Sequence, residues 1–391
     1  MTVQLLLLIV ALALFTPCAV LFVECFSASF SKTKDSQQCE NIDIAVLVPA
    51  HNEADIIAQT LALLTPQLGS NDRLVVIADN CSDSTAELAR NAGATVIERV
   101  DRVRRGKGYA LDCGISELRK NPPAAVVVVD ADCQIKQGSL HQLAEKAVFQ
   151  QRPVQAVYLI DGPAQPTLKE SISLFSFKVK NLVRPLGLAR LGLPCSLTGT
   201  GMALPWAAIA RTSVASNSIV EDMKLGLDLA IAKTPPILCP SVTVTAPMPP
   251  GDAAAKTQRT RWEHGHLQII KRYCPQLLFE ALFQGRLELI AIALDLAVPP
   301  LALLLSLWLA ATFALTLVYA IAGIWLPALI CYISGLALLS SVLLAWFKFA
   351  QEDISFRALI SFPAYILWKL PVYLKFIRSP QTEWIRTNRK A

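Results

Sequence analysis

Charged residues are scarce. They make up 17% of the 391 positions against 53% hydrophobic ones, and mean hydropathy is +0.45. That balance is too apolar for an ordinary soluble domain, so a membrane protein is implied. No charge falls between Val3 and Val23, nor between Leu296 and Phe347. A crossing helix needs about 20 apolar residues. Residues 1–25 therefore predict one span, and residues 287–350 a helical hairpin turning near Gly323 to Pro327. No Lys or Arg precedes the first run, whereas the leading region of a cleaved signal peptide is basic. The hairpin turn also lacks basic residues, while Lys32 and Lys34 follow the first run and Lys348, Arg357, Lys369, Lys375 and Arg378 follow the last. This asymmetry predicts an integral, multi-pass membrane protein whose central region and tail face the cytoplasm. Residues 351–391 tempt a fourth span through Phe356, Leu359, Ile360, Tyr365 and Trp368. Arg357, Lys369 and Lys375 interrupt it, and crossing would carry Arg386, Arg389 and Lys390 to the far side. An interfacial amphipathic segment with a cytoplasmic tail is expected instead.

Other absences narrow the chemistry. The ten cysteines include no C-x-x-C and no Cys/His metal spacing, so neither a zinc site nor a disulfide framework is indicated. No G-x-G-x-x-G follows the first apolar strand run, which argues against a dinucleotide-dependent oxidoreductase. No Lys/Arg block with interleaved aromatics accompanies the net charge of +6. That charge reads as attraction to anionic membrane lipid, with no nucleic-acid partner. Asn80-Cys81-Ser82 matches a glycosylation sequon, which a cytoplasmic domain would never present to that machinery.

What is present lies between the apolar runs. Residues 41–286 suffice for one α/β domain with its own core. Ile44 to Val48, Leu74 to Ile77 and Ala124 to Val129 are short β-branched apolar runs, as buried parallel strands require. Amphipathic stretches alternate with them: Asp55 to Leu64, Ser84 to Ala92, Gly108 to Leu118 and Ser139 to Phe149. Strand followed by helix, repeated, predicts a doubly wound, Rossmann-like sheet. Each strand run ends in a polar cluster: Pro49-Ala50-His51-Asn52-Glu53, Asp79-Asn80, and Asp130-Ala131-Asp132. Ligands bind beyond the carboxyl ends of such strands, so three clusters on one edge predict one cleft. Helix capping is the alternative for Asn52 and Asp83 taken singly.

Asp130 and Asp132 cannot both be buried as anions without compensation. Their hard oxygens suit Mg²⁺ or Mn²⁺, with a substrate diphosphate completing the shell; the alternative is a solvated acidic turn. Lys107, between Gly106 and Gly108 at a helix start, offers a point charge beside exposed backbone N–H groups, as a phosphate site does. Arg99, Arg102, Arg104 and Arg105 read as a solvated basic loop. Glu221-Asp222 opens a helix over Met223 to Ala232; one carboxylate could serve as general base, or both could simply favour the helix dipole. Gln258, Arg261 and Trp262 share one helical face at i, i+3 and i+4. There Arg can fork onto phosphate and Trp can stack on a sugar. The alternative is an amphipathic helix on the membrane.

In order, Pro49-Ala50-His51-Asn52-Glu53, Asp79, Lys107, Asp130-x-Asp132, Glu221-Asp222 and Gln258-x-x-Arg261-Trp262 resemble the motif series of family 2 glycosyltransferases. The flanking apolar runs make the chain similar to the membrane-bound branch that includes cellulose, chitin and hyaluronan synthases and ceramide glucosyltransferase. The resemblance implies a GT-A fold, inversion at the anomeric carbon, and a divalent metal. It implies that Pro49, Ala50, Glu53, Asp79, Lys107, Asp130, Gln258 and Arg261 line the donor site, with Asp79 at the nucleobase and Asp130 near the ribose or metal. Asp132, with Asp130, would hold the metal. Asp222 would be the base, aided by Glu221. Trp262 and the loop Thr198-Gly199-Thr200-Gly201, through Thr200 and Gly201, would border the acceptor. Ala78 departs from the pattern, since many members carry a second Asp there. The function implied is transfer of a sugar from a nucleotide-sugar donor to a glycan or polysaccharide. The alternatives are single-step glycosylation of a membrane lipid and, remotely, an inactive scaffold. Two C-terminal spans are few for a self-contained polysaccharide channel.

Overall fold

The computed structural model describes residues 2–30, 42–249 and 251–381. Lys32, Lys34, Arg386, Arg389 and Lys390 lie outside them. The chain forms two compact units, one of residues 32–161, 194–265 and 381–391, the other of residues 1–31, 162–193 and 266–380.

The first unit is built on an eight-stranded sheet: β1 (Ile44–Ala50), β2 (Arg73–Asp79), β3 (Thr95–Arg99), β4 (Ala125–Val128), β5 (Gln134–Ile135), β6 (Val154–Asp161), β7 (Met202–Pro205) and β8 (Ile237–Pro247). Their order across the sheet is β3-β2-β1-β4-β7-β6-β8-β5. β1, β2 and β4 are apolar on both faces because both faces are covered. Val46, Val48 and Val127 pack with Leu61, Leu64 and Leu143 on one side. Leu47, Ile77 and Val126 pack with Leu111, Ile115 and Leu229 on the other. Those partners come from the helices Ile57–Leu64, Ser139–Gln150, Lys107–Leu118 and Glu221–Ile231. β1 pairs parallel with β2 and β4, with Ala50 opposite Ala78 and Leu47 opposite Val128. Parallel pairing in this register brings the three polar clusters to one edge, as the sequence predicts.

The doubly wound, parallel pattern holds for β3-β2-β1-β4 and stops there. β7 runs antiparallel to β4 and β6, β6 pairs parallel with β8, and β5 is antiparallel to β8. The sheet is therefore mixed, as in GT-A domains. The sequence hid this half because β7 is only four residues long and β6 carries Gln155 inside its apolar run. Gly201 makes the entry to β7 possible. Its φ is +61°, and a Cβ there would lie 2.6 Å from Val244 Cγ2 and 2.8 Å from Ala156 Cβ. Gly201→Ala is expected to cost about 1–3 kcal/mol through overpacking and left-handed strain. Denaturant unfolding of the detergent-solubilised protein checks this, and unchanged stability would show the loop to be relaxed.

In the second unit, Thr2–Ala28, Leu301–Ala322 and Leu326–Phe349 are long and apolar enough to cross a membrane. Twenty-two helical residues span about 33 Å, the scale of a hydrocarbon core. Helix Thr2–Ala28 packs on Leu326–Phe349 and Arg184–Arg190. Gly187 permits the second contact, since a Cβ there would meet the Glu24 backbone oxygen at 2.0 Å. Buried Arg184 bonds Glu24 and Asp295, each at 2.6 Å, so one guanidinium serves two carboxylates. The helix Phe362–Arg378 buries Tyr365, Lys369 and Tyr373 and exposes Leu367, Leu370, Leu374 and Ile377.

Candidate active site

β1 delivers Pro49 and Ala50, and the turn after it holds His51, Asn52 and Glu53. His51 Nδ1 lies 2.6 Å from the Asp79 carbonyl, and Ser82 N–H donates to Asn52 Oδ1 at 2.7 Å. Thr85 Oγ1 accepts the Glu53 N–H at 2.8 Å. Neither Asn52 nor Asp83 is an N-cap, because their helices begin at Ile57 and Thr85 with Ile56 and Ser84 in the cap positions. Asn52 and Asn80 take positive φ, +57° and +51°, a conformation their short polar side chains tolerate. Their amide oxygens bind neighbouring loops.

Asp79, at the end of β2, is nearly buried. Its Oδ1 accepts from Arg99 Nη1 at 2.6 Å and from Asn80 Nδ2 at 3.0 Å. Arg99 thus departs from the solvated loop expected of it: it also donates to Asp101 and to the Arg104 carbonyl. Arg102, Arg104 and Arg105 are exposed, as expected. Arg99 escaped the sequence reading because it closes β3, a half-exposed edge strand with no apolar run to mark it.

Lys107 opens its helix after Gly106, whose φ is +116°. Its Nζ donates to Asp130 Oδ1 and, at 2.8 Å, to the Gly199 carbonyl. Gly108 lets this turn approach the chain at Ser216, whose carbonyl would lie 2.8 Å from an added Cβ. Burial disfavours the ammonium, but Asp130, Glu221 and Asp222 together outweigh it and hold the Lys107 pKa above its ordinary value. Asp222 shares the same glycine: a Cβ at Gly199 would lie 3.1 Å from Asp222 Oδ2 and 3.3 Å from Lys107 Nζ. Burial and then the Asp222 charge push Glu221 up to about 7, against the pull of Lys107 and Arg261. Asp222 Oδ1 also accepts the Met223 N–H at 2.8 Å, so this carboxylate serves the helix start as well as lying beside Lys107.

Arg261 reaches this cluster from the helix Gly251–Gln284, which also carries Gln258 and Trp262, both half-buried. One turn on, Gly265 would place a Cβ 2.5 Å from Val220 Cγ1. The helix therefore docks directly on the residue before Glu221. Arg261 Nε is buried with no hydrogen-bond partner among the described residues, which leaves a donor for an anionic ligand.

Asp130, Asp132 and Cys133 bring one ligand atom each within 4.8 Å of one another. Four carboxylates (Asp130, Asp132, Glu221, Asp222) share this region with two cations, Lys107 and Arg261. The surplus of negative charge and the hard oxygens fit a divalent cation. Burial pushes the Cys133 thiol well up, and a soft sulfur suits a hard divalent cation less well than the carboxylates do. Thr60 Oγ1 donates to the Ala131 carbonyl at 2.6 Å and Thr200 Oγ1 accepts the Asp130 N–H at 3.1 Å. Both hold the acidic turn. The fold brings Lys107, Asp130, Glu221, Asp222 and Arg261 together and sets Asp132 beside Asp130, while Arg99, Thr60 and Gln155 are additions that only tertiary structure exposes.

Residues 45–195 match the glycosyl transferase family 2 model, and residues 125–351 match that of glycosyl transferase family group 2. An uncharacterized protein of Methanocaldococcus jannaschii is 32% identical over 108 residues, covering 28% of this chain and 43% of that protein. The Bacillus subtilis protein named "Probable glycosyltransferase YdaM" is 33% identical over 97 residues, 23% of this chain and 22% of its own. The match thus spans less than half the length of either curated relative. The mannosyltransferase PcManGT from Pyrobaculum calidifontis, solved with GDP-Man and Mn²⁺, is similar with a TM-score of 0.56 and 18% identity, over 93% of this chain and 99% of that one. That likeness is one of fold. With a GT-A architecture and a family match over more than half its length, the chain belongs to the family 2 glycosyltransferases.

Proposed function

We propose that the protein transfers a sugar, with inversion, from a nucleoside-diphosphate donor to an acceptor at the cytoplasmic membrane face. The observation that carries this reading is the meeting of Lys107, Asp130 and Asp222 at Gly199, where a leaving-group cation, metal-type carboxylates and a base stand side by side. Lys107 and Arg261 are suited to bind the diphosphate. Asp222 would take the proton from the acceptor hydroxyl as that oxygen attacks the anomeric carbon, with Glu221 sharing the charge of the pair. Mg²⁺ or Mn²⁺, held by Asp130 and Asp132, would neutralise the departing diphosphate. The GDP-Man and Mn²⁺ bound to the similarly folded mannosyltransferase support donor and metal alike. Asp79 would face the nucleobase, and Trp262, Thr200 and Gly201 the acceptor.

The acceptor is a glycan or growing polysaccharide, a reading supported by the Gln258-x-x-Arg261-Trp262 pattern. The second reading, one-step glycosylation of a membrane lipid, is favoured by the three apolar helices, which would keep the enzyme where lipid acceptors reside. Incubating membranes with labelled donor separates them: a ladder of lengthening products supports the first, one organic-soluble glycolipid the second.

The same reading makes the Phe362–Arg378 helix interfacial, its exposed leucines in lipid and Lys375 and Arg378 at the headgroups. A single-cysteine tag at the C-terminus is expected to be labelled only from the cytoplasmic side. Labelling from outside would mean a fourth crossing.

A further inference from the structure

Gln155 lies on β6 and is 2% exposed. Its Oε1 accepts the Thr198 N–H at 2.8 Å, and its Nε2 donates to the carbonyls of Thr200 and Ala156, each at 2.8 Å. The amide thus grips residues 198 and 200 from below and fixes Gly199 between them. Gly199 and Gly201 have φ of +90° and +61°; the Ala156 N–H meets the Gly201 carbonyl at 2.8 Å, and the Gln155 amide extends that hold to residues 198 and 200.

Both ends of the gripped segment reach the donor site. The Gly199 carbonyl accepts from Lys107 Nζ at 2.8 Å, and Thr200 Oγ1 accepts the backbone N–H of Asp130 at 3.1 Å. Two short relays therefore run from one buried amide, one to the ammonium and one to the acidic turn of Asp130 and Asp132. A Leu or Met of similar volume would fill the space but leave the Thr198 N–H and Thr200 carbonyl unpaired. Packing alone does not call for an amide here.

We infer that Gln155 is a positioning residue that sets the 198–201 loop, and through it the register of Lys107 with the metal-type carboxylates. The inference rests on the donor-site reading proposed above. It differs from plain core packing in what it moves: supporting groups behind metal ligands typically change metal affinity by about 10 to 100-fold, whereas a packing defect elsewhere leaves affinity alone.

The test uses full-length protein in detergent and four variants, Gln155→Met, Thr200→Val, Thr200→Ser and the double of the first two. Dissociation constants for Mn²⁺ alone are read by electron paramagnetic resonance, beside kcat and KM for transfer and the unfolding midpoint. Gln155→Met is expected to fold, to weaken Mn²⁺ binding by about tenfold or more and to lower kcat. The double variant is expected to be little worse than Gln155→Met, because both act along one relay. Wild-type Mn²⁺ affinity and kcat in Gln155→Met, or independent multiplying effects in the double, would overturn the inference. Should Gln155→Met not fold, Thr200→Val removes the hydroxyl that meets Asp130: weakened Mn²⁺ binding restored by Thr200→Ser supports the relay, and unchanged binding defeats it. If the wild-type protein itself neither binds Mn²⁺ nor transfers sugar, the donor-site reading fails and takes this inference with it. A failure confined to the variants strikes the inference alone.

Discussion

Asp132→Ala is expected to reduce sugar transfer by about 10³-fold or more and to remove the response of donor binding to Mg²⁺ or Mn²⁺. The expectation follows from charge. A departing diphosphate needs a counter-ion, and the stabilisation a bound cation supplies is worth several kcal/mol. Asp132 sits with Asp130 and Cys133 within 4.8 Å, and the two others are poor substitutes for it. Asp130 already receives Lys107, and the Cys133 sulfur is a soft ligand whose pKa burial raises. Folding should survive, because the turn is held through backbone groups by Thr60 and Thr200. Kinetics across a metal titration, with circular dichroism as the folding control, decide it. Full activity in chelator-treated buffer would sink the metal role.

The second large effect concerns Asp222. Asp222→Asn keeps shape but cannot accept the acceptor proton, so kcat is expected to fall by about 10² to 10⁴-fold, while nucleotide and metal affinity stay close to wild type. Near-normal transfer by the folded variant would rule out the base assignment, and lost nucleotide binding would move the carboxylate into the donor site. The pair with Glu221 adds a pH signature. Burial and the neighbouring Asp222 push Glu221 up to about 7, and two interacting carboxylates titrate as a unit. Below the limb the pair carries one shared proton, which leaves it one negative charge fewer with which to draw the acceptor proton. The kcat/KM profile is therefore expected to fall as pH drops through about 7, and Glu221→Gln, by removing the like charge, to move that limb downward. For stability the sign is opposite to that of a salt-bridged carboxylate. The folded value exceeds the unfolded one of about 4.3, so folding takes up a proton between them. The contribution of Glu221 to stability is greatest below that range and declines as pH rises to about 7.

How far the sequence carries depends on how each element announces itself. β1, β2 and β4 are short, apolar and buried on both faces, and the polar residues ending them stand out. The parallel half and its edge clusters are legible for that reason. The three apolar helices are legible because length and missing charge are composition. β6, β7 and β8 leave weaker marks: Gln155 interrupts one, Gly201 precedes a four-residue strand, and Pro240 breaks the register of the third. Asp130, Asp132, Lys107 and Asp222 could be named from type and spacing. The meeting of Lys107 and Asp222 at Gly199 could not, since it takes place on a positive-φ loop that is bonded to a buried amide on a strand more than 40 residues earlier in the chain. Arg99 looked like loop charge because its partner, Asp79, lies across a strand pair rather than nearby in sequence.

The central claim, metal-dependent transfer from a nucleoside-diphosphate sugar, is tested most directly by donor turnover. Purified wild-type protein is incubated with a panel of uridine and guanosine diphosphate sugars, with Mn²⁺, with Mg²⁺ or with chelator, and released nucleoside diphosphate is measured. The expected result is release from at least one donor in the presence of metal, abolished by chelator and restored on adding metal back. No release from any donor with either metal, by protein shown to be folded, would contradict the account.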